Sequence, residues 1–474
     1  MNNWNIPVYN AIKKYSLSNP TPFHMPGHKL GKGIPAEFLG NPSLIDLTEI
    51  PGTDNLHYPS GAIKEAQELA AAAFGADRTF FLVNGSTCGI HAMIMTICNP
   101  GDKIIVGRDC HRSVIGGMIL AGASPVYIKP DYDTRFGIST VITPQKIEKA
   151  LSENPDAAGV LITRPNYYGI CSDIEAIAGI VHSYGKILAV DEAHGAHLKF
   201  SPLLPPSAME AGADMCVQSA HKTLPAFTQG AYLHVKTGRV NVERLKFNLS
   251  LIQTSSPSYV IMAFLDIARA IMENQGQELL ERLLENVRRF DEQLKASDGL
   301  ITLSTAGEND FRQDSSRLVI NVRKTGKTGY GVEKVLREKY NIQVEMSDLH
   351  NIVCITTAAD RAQDFEYLSR ALLETVRGNS DIPGSYDSYV CDLPIPHQKI
   401  ELAGIMRHEG EKVRISNAAG RTSLAMVTPY PPGIPVICPG EVVMAETIEY
   451  LARVMVSGGI VNGIEANGEI TVAK

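Results

Sequence analysis

Lys222 stands in SAHKTLPAFTQG, downstream of a strand-like run, ILAVDEAHGAH, that carries Asp191. A lysine amine is a weak nucleophile near neutral pH, yet it condenses with an aldehyde to give a Schiff base. A carboxylate such as Asp191 can hold a ring nitrogen protonated, because opposite charges in a poorly solvated site reinforce one another. Ser219 and His221 flank the lysine and offer donors for a phosphate. An aldehyde, a pyridine nitrogen and a phosphate are the working parts of pyridoxal 5′-phosphate (PLP), so these residues read together as a site for that cofactor. Taken singly, Asp191 and Glu192 could equally end a strand and cap the next element.

A second phosphate-binding segment is predicted in NGSTCGIHAMIMTI, where Gly85, Ser86 and Thr87 sit at a strand-to-helix turn. Helix N-termini present unpaired N–H groups and the positive end of a dipole, and a glycine there lets a phosphate approach closely. The segment is not a P-loop, since the terminal GK[ST] is absent. His111, in GRDCHRSV, follows another strand end, where an imidazole could stack on a flat ring. His194 and His197 come just after Asp191, and one of them is expected to touch the cofactor or substrate. His24 and His28, in HMPGHK, have no metal-ligand spacing, and no metal site is expected.

The elements that would place these residues alternate between short apolar runs and helical stretches. TFFLVNG, KIIVGR, PVYIKP, GVLITRP, KILAVDE and MCVQSA read as buried parallel strands, and IKEAQELAAAAFGA, PQKIEKALSENP and DIEAIAGIVHSYG as helices between them. This pattern predicts an open α/β sheet with helices on both faces, which places ligands at the carboxyl ends of its strands. Asp191 ends one such strand. The expected organisation is an N-terminal arm over residues 1–45, a large domain over 46–270, a small α+β domain over 271–378 and a C-terminal unit over 390–474. GNSDIPGSYDSYVCDLPIP serves as the linker before that last unit.

Composition narrows the function classes. With 44% hydrophobic and 20% charged residues, the 474-residue chain is ordinary for a globular protein of two or three domains. A net charge of −7, with no long basic run, argues against nucleic acid or anionic lipid as partners. The eight cysteines are scattered, without a CxxC pair, as expected of free thiols in a reducing cytoplasm. No signal-peptide core or membrane-spanning run is evident, so the expected location is cytoplasmic. A nucleotide-binding or regulatory module would need a phosphate loop or DNA-binding segment that the sequence does not offer.

Read in order, FHMPGHK, LHYPSGAIKEAQ, NGSTCG, DCHRSV, DEAHGAH, SAHKTLPAFTQGA, TSSPSY and TPYPPGIPVICPGE resemble the Orn/Lys/Arg decarboxylase family across nearly the whole chain. The likeness is strongest to its short bacterial arginine decarboxylases. It implies an aspartate-aminotransferase-like PLP fold (fold type I) with a mostly parallel sheet in the large domain, a small α+β domain and a C-terminal α+β domain. The activity implied is decarboxylation of a basic amino acid, foremost arginine to agmatine in polyamine biosynthesis. Lysine, ornithine, or an aminotransferase or lyase reaction on the same fold remain alternatives.

Carried over by motif, Lys222 would be the Schiff-base lysine and Asp191 the partner of the pyridine nitrogen. His111 would stack on the ring, and His194 would lie close to the cofactor and the reacting carboxylate. Gly85, Ser86, Thr87, Ser219 and His221 would hold the phosphate. Thr254 and Ser255 would approach the phosphate of a neighbouring subunit, which implies a homodimer at least. Glu345, Asp348 and Glu441 are the candidates for reading the substrate's cationic end. The larger members of the family carry an N-terminal receiver-like domain that builds decamers. Only the arm precedes the large domain here, so that assembly is not expected.

Overall fold

Runs of four or five mostly apolar residues, too short for helices and largely buried, build the central sheet. The computed structural model describes residues 6–377 apart from 296, 298 and 307–310, and residues 392–474 apart from 431 and 432. Most of the expected linker, Cys391 included, lies outside these residues. The large-domain strands are β1 (Arg78–Leu82), β2 (Lys103–Gly107), β3 (Ser124–Ile128), β4 (Gly159–Thr163), β5 (Ile187–Asp191), β6 (Met215–Gln218) and β7 (Ala231–Val235). They form one seven-stranded sheet in the order β1-β7-β6-β5-β4-β2-β3.

The register from β6 through β5, β4 and β2 to β3 is parallel throughout. Strand β7 pairs antiparallel with both β6 and β1, so it alone runs against the others. It was not among the strands expected from the sequence. Its direction follows from its connection: between β6 and β7 stands a single helical turn, Ala220–Thr223, which does not make the crossover that a parallel return requires. Lys222 therefore sits on a tight turn at the carboxyl end of the sheet. Helices Gly85–Ile97 and Arg112–Ala121 cover one face, and Pro144–Glu153 and Ile174–Ser183 the other, each over its own apolar cluster.

Helix Tyr259–Lys295 runs unbroken for 37 residues from the large domain into the small one, so the expected boundary at residue 270 falls inside it. Beyond it, β8 (Ile301–Thr302), β9 (Arg317–Asn321), β10 (Met346–Ser347) and β11 (Asn351–Ile355) form an antiparallel sheet ordered β8-β9-β11-β10. Helices Gly329–Tyr340 and Ala362–Arg377 complete this domain. The C-terminal unit carries antiparallel pairs of distant segments, 410–414 with 469–473 and 428–430 with 460–462, plus helix Ala445–Val456.

The arm is part of both domains. Thr21–Phe23 adds a parallel strand to Ile342–Val344. The Gly27 N–H then donates to the His221 carbonyl at 2.7 Å, while the Thr357 hydroxyl donates to the Gly27 carbonyl at 2.9 Å. A Cβ on Gly27 would lie 2.6 Å from the Leu224 carbonyl oxygen, so only glycine lets the arm pass this close to the Lys222 turn. Lys29 clamps it in place. Only 1% exposed, its ammonium donates to the carbonyls of Pro22, His24 and Ile355 and lies 3.6 Å from Asp360.

Breaking one side of a buried ion pair strands the other charge, at a cost of about 3–5 kcal/mol. Lys29→Met keeps the apolar stem but deprives Asp360 and three carbonyls of their donor. A loss of stability of that order is expected in urea unfolding; an unchanged midpoint would show that the clamp does not hold the arm.

Candidate active site

At the carboxyl end of β5, backbone bonds fix the turn that presents Asp191. The Arg164 N–H donates to the Asp191 carbonyl at 2.9 Å and the Glu192 N–H to the Val217 carbonyl at 3.0 Å. The two acids then diverge. Glu192, fully buried, pairs with Arg164 at 2.9 Å and accepts from the Ala208 N–H and the Gln218 amide, both at 2.8 Å. It is a structural anchor. Asp191 is 3% exposed and accepts from the Ala193 N–H at 3.1 Å, and no described cation lies within ion-pair distance of it. Burial pushes its carboxyl up, against the pull of Lys222. A buried carboxylate this poorly compensated fits a cationic ring nitrogen, which is the donor set PLP requires.

Lys222 projects from the helical turn after β6, and its amine lies 2.9 Å from His194 Nε2. Burial lowers the lysine to about 8, while Asp191 and Glu345 oppose the shift. His194 is 5% exposed and held well below its ordinary value by burial and then by Lys222 and Arg317, so it is neutral. His111 caps helix Arg112–Ala121, its Nδ1 accepting from the Ser113 N–H at 3.2 Å. That bond fixes the ring's orientation, and burial holds it at about 4.

The two predicted phosphate segments meet. Ser219 donates to Ser86 at 2.8 Å, joining the Lys222 turn to the start of helix Gly85–Ile97. Gly85 has φ +74 and donates its N–H to the Gln229 carbonyl at 2.9 Å, so the left-handed turn that opens the helix favours glycine. Thr87 lies exposed beside them. His221 bonds through Nδ1 to the Gly230 carbonyl at 3.0 Å. A carbonyl cannot donate, so Nδ1 carries the proton and Nε2 can serve a phosphate only when the ring is protonated. Thr254 and Ser255 are exposed, and the Thr254 N–H donates to Asn84, the residue before Gly85, at 3.4 Å.

The three substrate candidates separate. Glu345 accepts from the Tyr167 hydroxyl at 2.7 Å and the Met25 N–H of the arm at 3.0 Å, and it contributes to the field at Lys222. Asp348 accepts from the Tyr168 hydroxyl at 3.0 Å and caps the turn to Asn351. It also lines a cavity of about 220 Å3 with Asp109, Tyr132, Tyr167, Tyr168 and Tyr330. Glu441, fully buried, is committed to Arg108 at 2.9 Å and to the Cys438 N–H at 2.6 Å, which ties the C-terminal unit to the end of β2.

Two residues that the sequence reading did not single out complete the site. The Tyr167 ring packs edge-on against His194 with centroids 4.8 Å apart. Arg317, from β9 of the small domain, donates to His194 Nδ1 at 3.0 Å. Neither lies in a local motif with Lys222, and only the packing of the small domain onto the large one brings them in. Among the described residues no cluster of His, Cys, Asp and Glu is built to hold a metal, and no helix is long and apolar enough to cross a membrane.

Two family models match the chain: Orn/Lys/Arg decarboxylase, major domain, over residues 6–309, and Orn/Lys/Arg decarboxylase, C-terminal domain, over residues 396–465. The arginine decarboxylase of Bacillus anthracis is 40% identical, over 98% of this chain and 96% of its own length. That of Bacillus subtilis is 39% identical, over 97% and 95%. Among solved structures, the lysine decarboxylase of Francisella novicida superposes with a TM-score of 0.78 at 23% identity, over 99% of this chain and 81% of that one.

A lysine at about 8 leaves roughly one amine in ten uncharged at pH 7, against fewer than one in a thousand for an exposed lysine. The rate at which cofactor-free protein captures PLP, followed by its visible absorbance, should therefore rise with pH and level off above about 8. A profile still rising towards 10 would contradict the desolvated environment.

Proposed function

The chain belongs to the Orn/Lys/Arg decarboxylase family, PLP-dependent enzymes of fold type I, and from that premise we propose that it converts L-arginine to agmatine and CO2. The observation that carries the choice of arginine is full-length likeness to arginine decarboxylases of the same short architecture. Lysine and ornithine, giving cadaverine and putrescine, are the competing substrates. Agmatine formation would place the enzyme in polyamine biosynthesis, and buried free thiols at all seven described cysteines suit a reducing cytoplasm.

PLP, when bound, supplies an aldehyde for amine capture and a protonated ring that accepts the electron pair left by the departing carboxylate. Lys222 is the amine that would hold the aldehyde, ready as a nucleophile because burial disfavours its charge. Asp191 would keep the ring nitrogen protonated and His111 would cover the ring. Gly85, Ser86, Thr87 and Ser219 would cradle the phosphate, and His221, which burial lowers to about 4, would join them only where the phosphate's own charge protonates its ring. Lys222 or His194 would return a proton to Cα after CO2 leaves. Burial of both would keep bulk water from supplying that proton in their place.

The substrate's cationic end is assigned to Glu345 and to the tyrosine-lined cavity that Asp348 borders. Tyr167 touches both places, bonding Glu345 and lining the cavity. The committed ion pair of Glu441 favours a part in domain attachment. A homodimer is supported by the exposed apolar side chains of Phe247 and Leu251, just before Thr254 and Ser255, and by helix Pro7–Leu17, which buries none of its residues. In such a dimer Thr254 and Ser255 would reach the phosphate of the neighbouring site.

Purified PLP-loaded protein incubated separately with arginine, lysine and ornithine should release agmatine and CO2 from arginine fastest; no amine from any of the three would sink the decarboxylase reading. Asp191→Asn should still bind PLP but lose on the order of a hundredfold or more in turnover, as when one preorganised electrostatic partner is removed. Near-normal turnover in that variant would refute the role given to Asp191.

A further inference from the structure

The contact between Arg317 and His194 has a consequence for where a proton sits. A guanidinium has five N–H donors, no acceptor, and does not lose its proton in proteins. Arg317 Nη2 lies 3.0 Å from His194 Nδ1, so Nδ1 must be the acceptor. His194 is 5% exposed, and the groups facing it are the Lys222 amine, the Arg317 guanidinium, the Tyr167 ring and, further off, His111 and His221. None of these is an acid, and the acids near Lys222, Asp191 and Glu345, have their own partners. A neutral ring carries one proton, which leaves Nε2 as its place.

We propose that Arg317 is the positioning residue that fixes the tautomer of His194, holding the ring's single proton on Nε2 so that the imidazole faces the reacting amine as a hydrogen-bond donor. The 2.9 Å contact to Lys222 Nζ is then Nε2–H donating to the lone pair of an uncharged amine. The opposite arrangement, an ammonium donating to Nε2, would put the ring proton on Nδ1, where it would face an Arg317 N–H donor. Arg317 therefore selects the free-base form of Lys222 through a ring it never lets turn over. It also leaves His194 with a proton on the nitrogen nearest the reacting atoms, as a donor to Cα requires.

Two further observations fit this role better than that of a structural cation. Arg317 is 3% exposed, yet no described carboxylate lies within ion-pair distance of it, and its Nη1 has no hydrogen-bond partner. A buried arginine kept for stability would ordinarily be paired. Its stem is also tightly packed: a Cβ on Gly169, itself at φ +82, would lie 2.7 Å from the Arg317 Cβ and 3.1 Å from its Cγ. The guanidinium is thus aimed by packing.

The tautomer is read directly, without cofactor or turnover. Cofactor-free protein labelled with 15N-histidine is compared with its His194→Gln variant to assign the ring signals. Wild type should show a protonated, pyrrole-type Nε2 and an unprotonated, pyridine-type Nδ1 at His194. Arg317→Gln, which keeps an N–H donor without the charge, should retain that pattern. Arg317→Met, which has no donor, should shift population to the Nδ1–H tautomer and slow PLP capture at pH 7 by about tenfold, as a one-unit rise in the lysine would produce. An Nδ1–H tautomer in wild type, or an unchanged tautomer in Arg317→Met, would overturn the proposal. Should Arg317→Met not fold, the wild-type spectrum still decides. The proposal takes Lys222 as the reacting amine from the functional reading, but the tautomer would stand if the substrate assignment failed.

Discussion

Desolvation at the carboxyl ends of β5 and β6 is the constraint on which the rest of the structure depends. An amine becomes a nucleophile at neutral pH only where its charge is disfavoured, and a carboxylate holds a ring proton strongly only where water does not screen it. Lys222 and Asp191 occupy one such volume, and their mutual attraction is weaker than the burial cost that both bear. Left empty of any cationic ring, the pocket keeps a carboxylate with little compensation. That imbalance would favour the uptake of a charged heterocycle.

No single domain can wall off that volume. The large domain supplies the turn that carries Lys222 and the helix start that Ser86 shares with Ser219. The small domain closes the opposite side with Arg317 and Glu345. The arm runs between them, bonded at Gly27 to the backbone beside Lys222 and at Met25 to Glu345. The long helix Tyr259–Lys295 and the short antiparallel pairing of residues 312–313 with 170–171 couple the two domains. The buried cation of Lys29 is explained by the same requirement, since the arm can be a wall only if its irregular backbone has donors for its carbonyls.

What the sequence discloses and what it hides divide along contact range. Asp191, Lys222, Ser219 and His221 are legible because each stands at or just after the end of an apolar strand, where residue type and local pattern suggest a chemistry. Between residues 78 and 191 the short apolar runs and the amphipathic stretches between them point to the parallel sheet, although helix Arg112–Ala121 is not among the helices they predict. Strand β7 was not recognised, because its direction is decided by the short turn before it rather than by its own composition. The helix Tyr259–Lys295 runs through residue 270 with its apolar side in one cluster that both domains share, so its periodicity does not change there. Arg317 and Tyr167 lie far in sequence from Lys222 and outside the quoted motifs, and Lys29, although it ends FHMPGHK, gives no sign there of what it binds. Their roles exist only once the domains and the arm have packed.

The central claim is that a single buried amine, Lys222, is the group that binds the cofactor aldehyde. Protein loaded with PLP, reduced with borohydride and digested should yield one pyridoxyl-labelled peptide, the one containing Lys222, as identified by mass spectrometry. Lys29, buried but occupied by three carbonyls, should remain unlabelled. Stoichiometric label on any other lysine, or none on Lys222, would contradict the account.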